Sequence, residues 1–209
     1  MNPMLSFIMR MFSKPADPML PPRLQGRVAI CVGHSRIGDR GAVSVGKVSE
    51  WVYNSEVAEA LRWRLERAGV DVDVVSSYPR KTYRAAMKWL ADMMRGKGYD
   101  CVLELHFNSA GSKANGYEYL FLDGSKKGRE LATCLMSAHQ RVMGDKQKNR
   151  GIIPISGGKR GYSFLRLTPA PAVICEPFFG SNESEWAMYA HDCEKLAKIY
   201  FDGIKDFLA

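Results

Sequence analysis

The chain has 209 residues, 46% of them hydrophobic and 25% charged. These are globular averages: they exclude a disordered polymer, and the length is enough to close one core without cross-links. Thirty Lys and Arg against 22 Asp and Glu leave a net charge of +8, which favours polyanions such as nucleic acid, anionic lipid or the acidic polymers of a bacterial envelope without choosing among them.

The N-terminal MLSFIMRMF is apolar but too short to span a bilayer, is broken by Arg10, and is followed by no small-residue cleavage site. Neither a secretory signal nor stable membrane insertion is expected from it. Pro15, Pro18, Pro21 and Pro22 forbid regular helix or central strand, so residues 1–26 read as a Pro-rich arm and 27–209 as a single folded domain. VAICVG (28–33) is the first buried strand. Ser49 to Ala68 reads as a helix capped by Ser49 and closed by Gly69, with Trp51, Val52, Val57, Ala58, Leu61 and Leu65 as its apolar stripe.

VDVDVV (70–75) returns as a strand, Thr82 to Met94 as a helix, and CVLELHF (101–107) as a strand ending in a His-containing loop. Gly116 opens the strand YEYLFL, and Ser125 caps a helix to about Met143. Residues 144–161 form a basic, Gly-rich stretch that reads as a long loop. SFLRL and AVICE read as short strands, and one amphipathic helix covers about Ser184 to Leu208. Strand-length apolar runs alternating with helical periods predict an α/β fold: one twisted, mostly parallel sheet with helices on both faces. The five cysteines lie far apart, and Cys31, Cys101 and Cys175 sit inside apolar runs. They read as reduced core residues rather than disulfide or metal partners.

In open α/β sheets ligands bind outside the carboxyl ends of the strands. His34 follows the first strand, His106 ends CVLELHF, Glu176 ends AVICE, and Glu50 lies in the first turn of the first helix. Two imidazoles and a carboxylate are a common catalytic zinc set, and a further carboxylate suits proton transfer. Each has an ordinary alternative: a strand-end His is often a hydrogen-bonded edge residue, and a first-turn Glu complements the helix dipole. The remaining histidines, His139 and His191, fall in polar stretches of helix and read as surface residues.

GHSRIGDRGA (33–42), Glu50 with Asn54 four residues on, LHFNSA (105–110) and CEPFFGSNESE (175–185) resemble, in order and approximate spacing, the zinc-dependent N-acetylmuramoyl-L-alanine amidase family (amidase type 3), in particular its compact phage-endolysin-like members. The similarity runs from about Arg27 to the C-terminus. It implies zinc held by His34, Glu50 and His106, with Glu176 as the base, in hydrolysis of the amide between the muramic acid lactyl group and L-alanine of peptidoglycan.

Asn108 and Asn182 match polar positions near the site in this family, and both are equally at home as turn or cap residues. The family commonly has a second glycine after its first histidine, where Ser35 and Arg36 stand here. Glu104 alternates onto the same side as His106, where the family generally has a small residue, and reads as an orienting acceptor or a salt-bridge partner. Glu118 resembles a carboxylate of related amidases; its plain role is a paired surface charge. Lys146, Lys148, Arg150, Lys159 and Arg160 offer contacts for the anionic stem peptide or a solvated basic loop.

The resemblance favours a monomeric lysis enzyme made in a host cytoplasm and released to the cell wall. A cellular amidase for daughter-cell separation, placed in the periplasm or envelope, shares the chemistry but normally needs an export signal. A basic nucleic-acid-binding module is the reading from another class; it leaves the four motifs unexplained, so no nucleic-acid partner is expected.

Overall fold

The computed structural model describes residues 24–35, 39–80 and 82–209. Most of the Pro-rich arm, and Arg36 after the first histidine, lie outside the described residues.

Six strands form one sheet among the described residues: β1 (Arg27–Val32), β2 (Asp71–Val75), β3 (Cys101–Leu105), β4 (Tyr117–Leu122), β5 (Asn149–Ile155) and β6 (Ala172–Glu176), in the order β2-β1-β3-β6-β4-β5. All neighbours are parallel except β4 and β6, whose antiparallel register sets Glu118 opposite Glu176. β1, β3 and β6 are the apolar runs VAICV, CVLEL and AVICE because central parallel strands are covered on both faces.

The helices are α1 (Glu50–Arg67), α2 (Tyr83–Met94), α3 (Lys126–Met143), α4 (Tyr162–Leu167), α5 (Glu183–Tyr189) and α6 (Cys193–Leu208). Ser49 caps α1 by accepting from the Val52 amide, and Val57, Ala58, Leu61 and Leu65 are its buried stripe. Trp51 and Val52 are only partly buried; Tyr53 and Asn54 take the inward positions instead.

Side-chain alternation along the strands builds two cores. Ile30, Val32, Leu103, Leu105, Val173 and Cys175 pack under α1, α3 and α6. On the opposite face, Ala29, Cys31, Val102 and Ile174 pack under α2 and α4. The second layer holds two short helices, of 12 and 6 residues. They do not cover the carboxyl ends of β3 and β6 on that face, and a cavity opens there.

Three elements differ from the sequence reading. SFLRL lies in helix α4, not a strand: its five-residue apolar run is too short for periodicity to separate the two, and Phe164 and Leu165 are the buried pair. The segment 144–161 is not one long loop. It contains a 3-10 turn (Gly144–Lys146) and β5, which sequence signals hid because Gly151 and Pro154 break a strand pattern; both are tolerated in an edge strand. The C-terminal helix is two helices, interrupted at 190–192, where Asp192 accepts from the Lys195 amide to cap α6.

His139 corrects a further expectation. It is fully buried, stacked on Tyr117 with ring centroids 3.8 Å apart, and bonded to Tyr119, Gln147 and Tyr189. Burial lowers its pKa to about 4, so the network holds a neutral imidazole. His191 is exposed.

Candidate metal centre

Three chain segments meet at the carboxyl edge of the sheet. His34 stands two residues after β1 in the left-handed region (φ 67), a conformation rare for a side chain with a Cβ and concentrated at functional sites. Glu50 is the first residue of α1, and His106 follows β3 directly. One ligand atom from each lies within 4.8 Å of the others. Glu50 Oε1 is 2.7 Å from His106 Nδ1, and Oε2 is 3.3 Å from His34 Nε2.

Two glycines make that approach possible. A Cβ on Gly33 would fall 2.3 Å from the His106 ring, and one on Gly41, at φ 76, would fall 2.6 Å from His34 and 2.7 Å from Glu50 Oε2. The Glu50 carboxylate is fixed by the backbone amides of Ala42 (3.0 Å) and Phe107 (3.2 Å). His34 Nδ1 faces Asp39 Oδ2 at 3.0 Å, and His106 Nε2 faces the buried Glu104 at 3.4 Å. A carboxylate behind a ligand imidazole sets its tautomer and orientation.

Burial alone would raise the Glu50 carboxyl, but His106 and His34 hold it well below the usual carboxylate range. Burial would lower both imidazoles; Glu50 outweighs it at His34, and Glu104 and Glu50 outweigh it at His106, so both are raised. Buried anionic charge thus draws cations to this point. His34 Nε2 is itself buried without a hydrogen bond among the described residues. An unpartnered imidazole nitrogen aimed at a fixed carboxylate, with a second imidazole beside it, fits a divalent cation of the zinc type.

Glu176 lies at the end of β6, and its Oε2 is buried with no hydrogen-bond partner among the described residues. Burial raises its pKa to about 7; His106 and Arg160 oppose the rise, while Glu50 and Glu118 add to it. Glu118, opposite on β4, is both paired and at the cavity. It accepts from Arg150 at 2.6 Å and from Asn108 Nδ2 at 3.1 Å.

These groups border a cavity of about 830 Å³ whose lining includes His34, Glu104, His106, Asn108, Glu118 and Glu176. Arg150 is not among its lining residues: it is tied to Glu118 and lies over the Phe179 ring. Asn182 is also elsewhere, capping α5 through Glu185 N and donating to Ala114 O. Asn54 is fully buried, one turn along α1 from Glu50, without a side-chain partner. Sequence reasoning assigned nothing to Asp39, although it lies within the quoted GDRG, nor to Tyr78, whose hydroxyl donates to Val32 O at 2.9 Å and steadies the end of β1. It also passed over Glu185, whose carboxylate accepts from Gly116 N and Phe179 N.

A cavity at the carboxyl ends of parallel strands, with a fixed cation-seeking cluster on its floor, places the molecule among α/β proteins that do chemistry at the sheet edge. The chain belongs to the N-acetylmuramoyl-L-alanine amidase family, whose model matches residues 28–206. Its activity is that of an amidase acting on peptidoglycan.

Solved structures agree in fold. The CwlD amidase from Clostridioides difficile, in complex with the GerS lipoprotein, superposes with a TM-score of 0.77 at 25% identity, covering 88% of this chain and 98% of that one. The catalytic domain of the CD27L endolysin targeting Clostridia difficile gives 0.73 at 29% identity, with 87% and 97% covered. The catalytic domain of CwlV from Bacillus (Paenibacillus) polymyxa gives 0.71 at 24%, with 88% and 98% covered. No curated protein matches the sequence.

Proposed function

We propose that the protein is a zinc-dependent amidase that hydrolyses the bond between the N-acetylmuramic acid lactyl group and L-alanine of the stem peptide. The observation that carries this is the meeting of His34, Glu50 and His106 around one point, with the unpartnered carboxylate of Glu176 in the same cavity. Zinc held by these three residues supplies Lewis-acid polarisation of the lactyl carbonyl and lowers the pKa of water toward about 7.

The remaining work falls to the chain. Glu176, with a pKa near 7, suits both halves of a proton transfer. Its free Oε2 takes a proton from the attacking water as the C–O bond forms. It returns that proton to the alanine nitrogen as the C–N bond breaks, leaving a lactyl carboxylic acid and a free amine, and the acid's remaining proton passes to the amine or to solvent. Asp39 and Glu104 hold the two imidazoles in register, and the Ala42 and Phe107 amides hold the Glu50 carboxylate still.

The biological setting we infer is lysis: a monomeric endolysin made in a host cytoplasm and released to the wall. Likeness to the CD27L catalytic domain supports it. Likeness to the CwlD amidase supports the cellular alternative. Among the described residues no helix is long and apolar enough to cross a membrane.

The test joins metal analysis to digestion of purified peptidoglycan, with products read by mass. About one zinc per chain, and stem peptides released with a free L-alanine amino terminus, are expected, with release abolished by chelation. Glu176→Gln should keep the zinc and lose at least about a thousandfold in turnover. Release of fragments cut within the glycan or the peptide, or full activity in Glu176→Gln, overturns the assignment.

A further inference from the structure

The cavity is electrically divided. Glu104, Glu118 and Glu176 line it from the strands, while Arg80, before α2, and Lys159 and Arg160, before α4, line it from the loops that lead into those helices. Arg150, beside these carboxylates, is already spent on Glu118 at 2.6 Å. Arg80, Lys159 and Arg160 are exposed and form no ion pair among the described residues. Arg160 reaches far enough into the cavity for its charge to act on both Glu176 and Tyr83. Arg80 donates to Pro79 O at 2.6 Å and lies over the Trp89 ring, contacts that leave its charge without a counter-ion, and three cations without a carboxylate partner in one cavity focus field there more strongly than on open surface.

We propose that Arg80, Lys159 and Arg160 form an anion subsite that binds a free carboxylate of the stem peptide and orients the substrate along the cavity. This rests on the amidase reading. With the scissile amide at Glu176, a carboxylate on the second stem residue lies about two residue lengths away, roughly 7 Å along an extended chain. The cavity's volume of about 830 Å³ accommodates a peptide of that length. The sheet side is lined by carboxylates and repels a second anion, so the charge division allows one polarity of binding. The amide sits at the sheet edge, and the peptide carboxylate sits between the starts of α2 and α4.

Two soluble substrates test this, both with the γ-carboxyl of the second residue capped as its methylamide: N-acetylmuramoyl-L-alanyl-D-glutamate with a free α-carboxylate, and the same compound with that α-carboxylate converted to its amide. The zinc-loaded parent should cleave the acid with a kcat/KM roughly tenfold above the amide, a size reasonable for several solvent-facing charge contacts. In the K159Q/R160Q variant, with or without R80Q, the KM for the acid should rise about tenfold with kcat within about twofold, the two substrates should become equivalent, and R160K should recover part of the preference. Equal use of both substrates by the parent, or an equal loss on both in the variants, overturns the subsite and leaves the amidase reading standing. Failure to cleave either compound or intact peptidoglycan overturns the amidase reading and the subsite with it.

Discussion

A carboxylate oxygen buried without a hydrogen bond is costly to ionise, and Glu176 keeps one while also facing Glu118 across the β4–β6 pair. The cost appears as stability. With a folded pKa of about 7 against an ordinary 4.5, the folded state binds more protons than the unfolded one between those values. Stability is therefore fully present below pH 4.5 and is lost as pH rises through 7. In metal-free protein, Glu176→Gln should be more stable than the parent at pH 8, by up to about 3 kcal/mol in urea unfolding, and the gain should vanish near pH 4. A gain independent of pH would mean that packing, not ionisation, separates the two. Gly41 answers to a different constraint. A methyl group there meets His34 and Glu50, and the φ of 76 is unfavourable for any L side chain. Gly41→Ala should weaken zinc binding at least about tenfold in chelator competition, because a coordination set displaced by a fraction of an ångström no longer converges. His34, Glu50, His106 and Glu176 stand at strand ends or a helix start, but position alone leaves each an ordinary alternative, and it is the resemblance of the four motifs that singles them out. Asp39 and His139 are not singled out in this way. What matters at each is a partner: Asp39 meets His34 through a loop, and His139 meets residues 119, 147 and 189, which the fold brings together from three other segments.

Elements were legible where burial imposes a period and obscure where tertiary contacts replace it. α1 announces itself through Ser49 and its stripe, and β1, β3 and β6 through unbroken apolar runs. β5, at the sheet edge, contains a Gly and a Pro and has a half-exposed pattern, so its pairing with β4 is what makes it a strand. The loop after β6 depends on α5 in a similar way. Glu185, 3% exposed, accepts from Gly116 N at 2.6 Å, Phe179 N at 2.7 Å and Gln147 Nε2 at 3.2 Å, and Gln147 also donates to Pro177 O. One carboxylate thus ties the loop that follows Glu176 to the residue that opens β4, and so fixes the two strands carrying Glu176 and Glu118. Glu185→Ala strands two buried amides and should destabilise the fold by about 2–4 kcal/mol. Glu185→Gln keeps one good acceptor and should lose less. Equal stability of the alanine variant and the parent in thermal unfolding would show that water replaces the carboxylate, and the loop would then owe its position to Phe178 and Phe179 packing alone.

At the scale of the molecule, the net charge of +8 is independent of the fold and bears on how the enzyme reaches an anionic wall. Much of the basic surface is committed locally: Arg27, Arg62, Arg64, Arg141 and Arg150 each pair with a carboxylate. The excess charge therefore acts as a diffuse field, and a diffuse field between exposed charges is screened as the Debye length falls from roughly 10 Å at 0.1 M salt to roughly 3 Å at 1 M. Binding to a wall by this route should be strong, fast and salt-labile, unlike binding through a shape-complementary cavity. Pelleting of Glu176→Gln protein with intact sacculi separates the two, since turnover no longer removes the ligand. Affinity should drop at least about tenfold between roughly 50 and 500 mM NaCl, and sacculi stripped of their anionic polymers should bind poorly even at low salt. Affinity that persists at high salt and on stripped sacculi would instead assign wall attachment to the cavity itself, and the surplus of Lys and Arg would then serve solubility or encounter rate rather than retention.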